Sequence, residues 1–374
     1  MNVLQVTKWF IPYRGGIETV VEQLAQGLLR EGIDAKVLTC HHSPAMRDNR
    51  ESIGSIPVTR CQSFGNYFGT PVSLSYPFHY RQLASSSDLL HFHAPFPVGE
   101  LAFPLADLSD KNVVVTFHAD PGDTRWKMLE KIYRPIIRNV LERADRIAVT
   151  SPQMRDQSDA LEGLRDKCRV IPLAANVEVA DPGQDEIQRL KKQKGLDGRP
   201  VLLGVGRMVY YKGFKYAIEA MRSVDAELVL VGQGEDRKAL QEKAKEWGVE
   251  DRVHLPGYVS SEELSEYYAL ADLFVFPSVT PAEAFGIVQV EAMAHGLPVI
   301  NTQLPTGVPF VSKDEETGLT VEPRDAAALA AAINRLLQDD ALRHKLSKSA
   351  EERATSFSGQ AMVDRYLEMY EEVQ

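Results

Sequence analysis

Two glutamates set eight positions apart carry the strongest chemical signal in this sequence. Glu283 and Glu291 flank the largely apolar run Ala-Phe-Gly-Ile-Val-Gln-Val, where a charge is buried only at high cost. On a continuous helix, eight positions correspond to a rise of about 12 Å, whereas two carboxylates that cleave a glycosidic bond lie about 5–10 Å apart. Carboxylates accept hydrogen bonds from hydroxyls. The spacing therefore favours binding of a sugar and the ribose of a sugar nucleotide over hydrolysis.

Two cations follow a predicted strand in the same half of the chain. Arg207 comes directly after the strand, and Lys212 lies five positions later. The planar fork of an arginine and the mobile charge of a lysine together suit a diphosphate. The alternative is that both are solvated surface cations.

A second possible anion site lies between the two glutamates. If Phe285, Gly286 and Ile287 open a helix, their amides can bind an anion there.

A glycine pair before the first predicted helix is a further candidate for anion binding. Gly15 and Gly16 precede apolar positions spaced to cover one helix face, and amides at a helix N-terminus attract anions. A plain turn that needs glycine is the alternative. The dinucleotide fingerprint Gly-x-Gly-x-x-Gly is absent, because the glycine pairs at 204–206 and 232–234 lack the third glycine. A nicotinamide dehydrogenase is therefore disfavoured.

Three histidines lie near the ends of predicted strands in the first half. His91 and His93 are two positions apart on one strand, and His118 ends another. Three histidines could hold zinc, or they could be polar residues that line a cleft. The sequence contains no Asp-x-Asp motif, so nothing indicates a metal-dependent diphosphate site. We expect neither a metal nor another cofactor, with Arg207 and Lys212 neutralising the diphosphate.

Short β-branched runs alternate with longer helical patterns throughout the chain, which predicts repeated βαβ units. Several runs are apolar at every position, as expected for parallel strands covered on both faces. The predicted strands are 3–7, 35–39, 88–93, 113–118, 147–150, 169–172, 201–205, 227–231, 253–255, 273–277, 298–301 and 319–322.

The alternation predicts an α/β protein with two Rossmann-like domains, each a doubly wound parallel sheet, that face a central cleft. A turn-rich stretch near 175–186 separates a domain at 1–176 from a second domain at 177–355. Residues 356–374 form a last helix, which we expect to pack back on the amino-terminal domain. Ligands of open α/β sheets bind beyond the carboxyl ends of the strands, which places the expected site in the cleft.

Composition and charge exclude disordered, collagen-like and disulfide-scaffold proteins. The chain has 374 residues, of which 44% are hydrophobic and 25% charged. Its net charge of −10, which argues against nucleic acid as a partner, divides into +1 for residues 1–175 and −11 for the remainder. Three scattered cysteines favour a reducing compartment. We expect no signal peptide, no membrane-spanning helix and a cytoplasmic location.

A basic and aromatic segment covers residues 125–143. Pro135 is expected to kink or divide a helix there. One interpretation is docking on an anionic membrane surface, where each nearby cation contributes about 1 kcal/mol, with the protein peripheral at the inner face of the membrane. The other is a core helix with a solvated basic face. The apolar positions at helical spacing are Met128, Leu129, Ile132, Ile136 and Val140.

Together these motifs resemble the retaining GT-B glycosyltransferases, and glycosyltransferase family 4 most closely. The resemblance rests on the two glutamates in their Ala-Phe-Gly and Glu-Ala-Met-Ala-His-Gly-Leu-Pro-Val context, the Arg and Lys pair, the glycine loop and Thr-Phe-His-Ala-Asp at 116–120. The motifs cover nearly the whole chain in the family's order. They imply a retaining transferase with the GT-B fold.

The resemblance also implies a role for each matching residue. Glu283 would hold hydroxyls of the donor sugar, and Glu291 would bind the ribose. Arg207 and Lys212 would neutralise the leaving diphosphate, and His118 would contact the sugar from the amino-terminal domain. The remaining donor-binding positions, which include a main-chain contact from Val259 to the nucleobase, are Gly15, Gly16, Val259, Phe285, Gly286 and Ile287.

Residues 301–311 resemble polysaccharide mannosyl- and rhamnosyltransferases, which implies a GDP-mannose-type donor. The implied reaction moves a hexose, without a metal, onto a glycan or lipid-linked saccharide acceptor in surface polysaccharide synthesis. Three alternatives stay open: a UDP-sugar-dependent member of family 4, a nucleotide-sugar epimerase with two facing Rossmann-like domains, and a non-catalytic GT-B subunit that binds a partner enzyme.

Overall fold

The computed structural model describes residues 1–13, 15–67, 69–119, 127–175, 179, 183–196 and 198–374. The chain forms two compact units. Unit 1 consists of Met1–Ala174 together with Gly359–Gln374, and unit 2 consists of Ala175–Ser358.

Unit 1 is built on an eight-stranded sheet in the described part of the chain. Its strand order is β10-β9-β8-β7-β1-β2-β4-β3, and a separate two-stranded hairpin joins β5 to β6. All neighbours in the sheet are parallel except β3 and β4, which are antiparallel. The strands are β1 (Asn2–Val6), β2 (Asp34–Cys40), β3 (Asn49–Ile53), β4 (Ile56–Cys61), β5 (Asn66–Tyr67), β6 (Thr70–Pro71), β7 (Leu89–Ala94), β8 (Asn112–Phe117), β9 (Arg146–Val149) and β10 (Cys168–Val170).

The helices of the amino-terminal part connect these parallel strands, as βαβ units require. Ser151 caps the helix at 152–157 by accepting a hydrogen bond from the Met154 amide, at 3.2 Å. The helices are α1 (Gly16–Arg30), α2 (Tyr76–Ser85), α3 (Pro97–Ala102), α4 (Lys127–Arg143) and α5 (Pro152–Gln157).

Unit 2 contains a six-stranded sheet that is parallel throughout, in the order β13-β12-β11-β14-β15-β16. Its helices pack around a core of aliphatic side chains. The strands are β11 (Val201–Val205), β12 (Glu227–Val231), β13 (Val253–Gly257), β14 (Leu273–Val275), β15 (Val299–Thr302) and β16 (Gly318–Val321). The helices are α6 (Gln184–Gln193), α7 (Phe214–Ala220), α8 (Arg237–Glu246), α9 (Ser261–Leu270), α10 (Val288–Ala294), α11 (Val308–Val311), α12 (Ala326–Gln338) and α13 (Asp340–Ala354).

The last helix, α14 (Gly359–Glu371), belongs to unit 1. Met362, Tyr366 and Tyr370 are buried in the same core as the apolar face of α1. Glu372 forms ion pairs with Arg146 and Arg169, at 2.8 and 3.0 Å. The end of the chain therefore completes the core of the unit in which the chain begins.

Each predicted strand is present: those at 201–205 and 227–231 match at both ends, and the others differ by one or two residues at one or both ends. The hairpin of β3 and β4 was not predicted, and the unit 1 sheet is not wholly parallel as we expected. Four of the five β3 residues are exposed, so this edge strand has no apolar pattern to reveal it. Its charged residues Arg50 and Glu51 protect the edge from further pairing.

Residues 127–143 of the basic segment form the single helix α4, so the helix is not divided at Pro135, and a kink there stays a prediction. Residues 125 and 126 lie outside the described residues. Pro135 is exposed, and the carbonyl that its missing amide leaves unpaired can bind water instead. Cys40, Cys61 and Cys168 are free thiols in the core. Among the described residues, no helix combines the length and the apolar character that crossing a bilayer requires.

Candidate active site

The carboxyl end of β11 carries a buried ion pair. Lys212 ends a short 3-10 turn after this strand, and its Nζ lies 2.6 Å from Oε2 of Glu283. Each side chain is only 10% exposed. Ser278 Oγ donates to the same oxygen at 3.2 Å. Among the described residues, Oε1 of Glu283 has no hydrogen-bond partner, so it can accept from a ligand hydroxyl.

Glu283 does not lie on the helix that carries Glu291, so the continuous helix assumed between them is wrong. The helix α10 begins only at Val288. Gly286 has a φ of +77°, in the left-handed region that interrupts a right-handed helix. Glu283 lies in a turn, where its amide donates to the carbonyl of Thr280 at 3.1 Å. The helical rise of about 12 Å therefore does not describe this pair.

The amides of Phe285, Gly286 and Ile287, which precede α10, have no acceptor in the part of the chain that the structure describes. The same holds for the amide of Ala284 directly before them. The Gly286 carbonyl accepts from the Gln289 amide at 2.9 Å, which leads the loop into the helix. Unpaired amides before a helix attract an anion because each presents the positive end of a peptide dipole.

A buried amide network holds this loop in place. Gln289 Nε2 donates to the Phe285 carbonyl at 3.2 Å, and its Oε1 accepts from Asn301 Nδ2 at 2.9 Å. Asn301 Nδ2 also donates to the carbonyls of Val308 and Ser312, at 3.1 and 2.9 Å. Because every partner is buried, the network fixes the loop more firmly than exposed hydrogen bonds would.

Glu291 lies on α10, and its carboxylate accepts a hydrogen bond from a tyrosine on another helix. Tyr268 donates its hydroxyl proton to Oε2 of Glu291 at 2.8 Å, and the Tyr268 ring stacks on His295 with centroids 5.0 Å apart. Burial raises the pKa of the Glu291 carboxyl, and the hydrogen bond from Tyr268 opposes that rise. The carboxylate is half-buried, so part of its acceptor capacity faces solvent.

Arg207 is exposed at the same strand end as Lys212. Its Nη2 donates to the Tyr211 hydroxyl at 2.8 Å. A Cβ placed on Gly206 would lie 3.3 Å from the Lys212 ammonium, which shows how closely that charge covers the end of β11. One exposed and one buried cation thus occupy one edge of the unit 2 sheet.

Val259 lies between β13 and α9, at the same carboxyl edge of this sheet, and is half-buried. The carbonyl of Gly257, two residues earlier, accepts from the Gly232 amide at 2.8 Å. This bond joins the ends of the neighbouring strands β13 and β12. The Val259 main chain is therefore attached to the sheet that carries the two cations.

The glycine pair lies in unit 1, where α1 begins at Gly16 with Gly15 as its N-cap. The Gly15 carbonyl accepts from the amide and the hydroxyl of Thr19, at 3.1 and 3.0 Å. A side chain at Gly15 would collide with the carboxylate of Glu18, whereas a Cβ on Gly16 would meet nothing within 4 Å. Packing within the protein thus explains the first glycine and leaves the second unexplained.

His118 directly follows β8 and is buried. Its Nε2 lies 3.0 Å from Nδ1 of His93. Burial, together with the nearby charge of Lys8, lowers the pKa of His118 to about 3, so the ring is neutral. Its Nδ1 is buried and has no hydrogen-bond partner among the described residues.

The zinc interpretation of the three histidines does not fit the structure. Both ring nitrogens of His91 and of His93 are already hydrogen-bonded within the core. The described residues contain no group of three histidine, cysteine or acidic side chains that could hold a metal ion. The alternative interpretation is that these histidines line a cleft. His91 and His93 do not fit it either, because both side chains are almost completely buried.

Comparison with known proteins places the chain in a family. A model described as "Glycosyl transferases group 1" matches residues 186–353, and one described as "Glycosyltransferase Family 4" matches residues 14–179. O-antigen chain mannosyltransferase C of Escherichia coli is 30% identical over 99% of this chain and 98% of its own length. The chain belongs to glycosyltransferase family 4.

Two further similarities agree with that assignment. D-rhamnosyltransferase WbpZ of Pseudomonas aeruginosa is 32% identical over 94% of this chain and 91% of its own length. The structure of sucrose-phosphate synthase from Thermosynechococcus elongatus has a TM-score of 0.78 at 26% identity, covering 99% and 98% of the two chains. This family 4 glycosyltransferase therefore has the GT-B fold that its motifs implied.

The sequence did not identify the residues that support this site. Ser278, Gln289 and Tyr268 each hold a group that the motifs did identify, and Asn301 in turn holds Gln289. Gln289 alone carried a signal, since it is a polar residue inside the run Ile-Val-Gln-Val. A buried amide in such a run needs partners, but the sequence does not show that these are the Phe285 carbonyl and Asn301.

Proposed function

We propose that this glycosyltransferase moves a hexose of the mannose type from a GDP-sugar onto a glycan or lipid-linked saccharide, with retention of anomeric configuration. The buried Lys212–Glu283 pair beside three unpaired amides is the observation that carries the proposal. An ammonium, the carboxylate that it pairs with and the amide donors at 285–287 together suit a ligand that has both phosphates and hydroxyls.

Each group has a separate task in the proposed donor complex. Oε1 of Glu283 accepts from hydroxyls of the donor sugar, and Glu291 accepts from the ribose. Lys212 and Arg207 bind the diphosphate, assisted by the amides of residues 285–287 and of Gly16. His118 contacts the sugar, and the Val259 main chain contacts the nucleobase. The protein then acts mainly by positioning and by charge stabilisation.

The proposed reaction is a front-face substitution without a metal. The bond from the anomeric carbon to the phosphate oxygen breaks, and the acceptor oxygen bonds to the same face of that carbon. The departing phosphate oxygen takes the acceptor's hydroxyl proton. Lys212 and Arg207 supply the positive charge that the leaving diphosphate needs. Transfer is therefore expected to continue in the presence of EDTA, with unchanged anomeric configuration in the product.

The donor and acceptor classes come from the relatives. The names of the Escherichia coli and Pseudomonas aeruginosa proteins specify mannosyl and D-rhamnosyl transfer, and the first also specifies an O-antigen chain. A thermal-shift comparison of GDP, UDP, ADP and dTDP, each with its sugars, tests the base. Only the cognate ligand should raise the melting temperature strongly, because stabilisation grows with the ratio of ligand concentration to Kd.

The ion pair allows a test that separates chemistry from stability. Lys212→Met and Glu283→Gln should each lower transfer by at least about 100-fold, the scale for losing one preorganised group. Lys212→Met also leaves a buried carboxylate unpaired, which costs about 3–5 kcal/mol of stability. The double variant has no unpaired charge, so it should regain stability while transfer stays low.

Lys215→Met is the matched control, since Lys215 is an exposed lysine three residues further on. It should leave both stability and transfer unchanged. Recovery of transfer in the stable double variant would refute the proposed roles of Lys212 and Glu283. Conversion of the free sugar nucleotide to an epimer by the wild-type chain would favour the epimerase alternative instead.

We also propose that the enzyme works at the inner face of the cytoplasmic membrane, with α4 near the lipid. Ile132 in this helix is 65% exposed, and Lys131 and Arg134 beside it are exposed cations. The carboxyl-terminal half is different, because Val140 and Leu141 are buried in the protein. The core interpretation therefore applies to the second half of α4, and the docking proposal concerns the first half.

Co-sedimentation with liposomes tests this docking. Binding to vesicles with anionic lipid should exceed binding to neutral vesicles and should weaken as salt rises. The double variant Lys131→Gln with Arg134→Gln should bind less, whereas Lys348→Gln with Lys345→Gln on α13 should not. Binding that ignores both lipid charge and salt would remove the proposal.

A further inference from the structure

A chain of buried polar side chains connects His118 to the last helix of the protein. His118 Nε2 lies 3.0 Å from His93 Nδ1, and His93 Nε2 lies 2.7 Å from Gln5 Oε1. Gln5 Nε2 then donates to the Tyr370 hydroxyl at 3.2 Å. Each of these side chains is at most 5% exposed, so water cannot easily replace any of these bonds.

The chain continues beyond Tyr370 into the strands of the unit 1 sheet. The Tyr370 hydroxyl lies 2.6 Å from Nδ1 of His91, and His91 Nε2 lies 2.7 Å from Oγ1 of Thr116. Thr116 Oγ1 in turn lies 2.8 Å from the Tyr366 hydroxyl. Tyr366 and Tyr370, both on α14, therefore hold the two strands through different members of the same network.

The protons in this network have a definite order. The carbonyl oxygen of Gln5 only accepts, so His93 must carry its proton on Nε2. Burial keeps the pKa of His93 well below its usual range, and the neutral ring therefore has a lone pair on Nδ1. His118 Nε2 must then be the donor in the next bond. The remaining nitrogen of His118, Nδ1, is an acceptor.

The orientation of the Gln5 amide sets this order. If the amide were turned around, every proton in the chain would shift, and His118 would carry its proton on Nδ1. In the observed orientation Gln5 Nε2 donates to the Tyr370 hydroxyl at 3.2 Å. The Tyr370 oxygen also lies 2.6 Å from His91 Nδ1, which can accept the hydroxyl proton of Tyr370.

We propose that Gln5 and Tyr370 are positioning residues that fix His118 in the tautomer protonated on Nε2, so that Nδ1 accepts a hydrogen bond from a substrate hydroxyl. The buried and unpaired Nδ1 is the acceptor that such a hydroxyl would satisfy. The tautomer follows from the orientation of the Gln5 amide, whose Nε2 faces the Tyr370 hydroxyl. Its use by a sugar hydroxyl rests on the function proposed above.

Nitrogen-15 NMR of the histidine rings in the full-length chain tests the tautomer directly, because protonated and unprotonated ring nitrogens have well-separated shifts. The His118 signals are those lost in His118→Asn. The wild type should show a protonated Nε2 and an unprotonated Nδ1. Tyr370→Phe should give a mixture of both tautomers at His118, because the Gln5 amide is released.

Tyr366→Phe is the matched control. It removes an equally buried hydroxyl from the same helix, yet it leaves Gln5 and His93 with all their partners, so the His118 signals should not change. Gln5→Met is a second variant that removes the acceptor of His93, and it should also mix the tautomers. A wild-type ring protonated on Nδ1, or equal spectra for Tyr370→Phe and Tyr366→Phe, would overturn the proposal.

Kinetics distinguish this proposal from the proposed function. Tyr370→Phe should lower kcat/KM for the sugar nucleotide about tenfold, the effect of one hydrogen bond, while the Kd for GDP alone stays unchanged. Tyr366→Phe should change neither value. If the tautomers mix as expected but kcat/KM is unchanged, the network stands and the assigned contact of His118 to the sugar fails.

Discussion

At the residue scale, three side chains of the candidate site each keep a hydrogen-bond acceptor that no other described part of the chain uses. Glu283 is paired through Oε2 and keeps Oε1. Glu291 accepts from Tyr268 and is only partly buried. His118 donates through one nitrogen and has an empty acceptor on the other. Acceptors that are unused within the protein can accept a hydrogen bond from a ligand hydroxyl.

Gly16 allows a test of ligand approach that stability does not confound. A Cβ at this position meets nothing in the protein, and Gly16 begins α1, where alanine is a better helix former. Gly16→Ala should therefore fold normally. In the proposed complex the extra carbon would crowd the donor phosphates at a cost of about 1–3 kcal/mol, which lowers kcat/KM about tenfold or more.

Gly183→Ala is the control for this variant, since Gly183 precedes α6, has an ordinary φ of −57° and is also surrounded by open space. Both variants should have wild-type melting temperatures, and only Gly16→Ala should lose activity in steady-state assays with the sugar nucleotide. Equal activity of the two would mean that the glycine pair is a plain turn.

At the element scale, the loop before α10 sets the geometry of the site, and the left-handed backbone of Gly286 sets the conformation of that loop. An alanine there would occupy the left-handed region, which costs about 1–2 kcal/mol. Its Cβ would also lie 2.6 Å from the buried ring of Phe276, which adds about 1–3 kcal/mol of overpacking. Gly286→Ala should therefore lower the free energy of unfolding in urea titrations and weaken binding of GDP.

Gly296→Ala separates the two costs of the Gly286 variant. Gly296 has nearly the same φ, +72°, but a Cβ there would meet the flexible end of Glu351 instead of a buried ring. It should lose only the backbone contribution and should bind GDP normally. If both variants bind GDP equally well, the unpaired amides of residues 285–287 do not hold the diphosphate.

The elements differ in how well the sequence predicts them, and the reason is physical. The parallel strands are covered on both faces, so their apolar runs show in the sequence. The edge strand β3 is exposed and hydrophilic, so it gave no pattern. The segment from Glu283 to Glu291 looked like one helix because the residues between them are largely apolar, yet the left-handed Gly286 precedes a helix that begins only at Val288.

In the candidate site, too, some residues could be predicted from the sequence and others could not. Residue type and position at strand ends were enough to select Arg207, Lys212 and Glu283 from the sequence. The contact of Gln5 with Tyr370 joins residues 365 positions apart, and no local pattern contains that information. Sequence reasoning therefore selects candidates for ligand contact more readily than it selects the groups that hold those candidates in place.

At the scale of the whole molecule, buried ionisable groups in unit 1 set how stability depends on pH. Burial raises the pKa of the Glu100 carboxyl to about 7, and it lowers the pKa of His91 and His118 to about 3. Folding therefore keeps a proton on Glu100 that the unfolded chain loses near pH 4.5. It also keeps protons off the histidines that the unfolded chain binds below about pH 6.5.

These groups affect stability in opposite directions. The histidines make the protein less stable as pH falls below about 6.5, because the unfolded state then binds protons that the folded state does not. Glu100 makes it less stable as pH rises from about 4.5 to 7, because the unfolded state releases a proton that the folded state keeps. Above pH 7 the contribution of Glu100 is constant and unfavourable by up to about 3 kcal/mol.

Glu100→Gln should isolate the second contribution. The glutamine can still accept the hydrogen bond that the Phe96 amide gives to Oε1 of Glu100, at 3.0 Å, and it cannot ionise. Relative to the wild type, the variant should therefore gain stability progressively between pH 4.5 and 7 and should keep that gain at pH 8. Urea unfolding at pH 5, 6, 7 and 8 measures the difference.

Glu31→Gln provides the control for this pH dependence, because Glu31 lies exposed at the end of α1 and its loss removes the same formal charge. Its stability should follow the wild type at each pH. The loss of stability below about pH 6.5 should persist in Glu100→Gln, because the buried histidines are unchanged. A Glu100→Gln stability curve parallel to that of the wild type across pH 4.5–7 would mean that Glu100 is ionised in the folded protein, and burial in the core of unit 1 would then need a compensating cation.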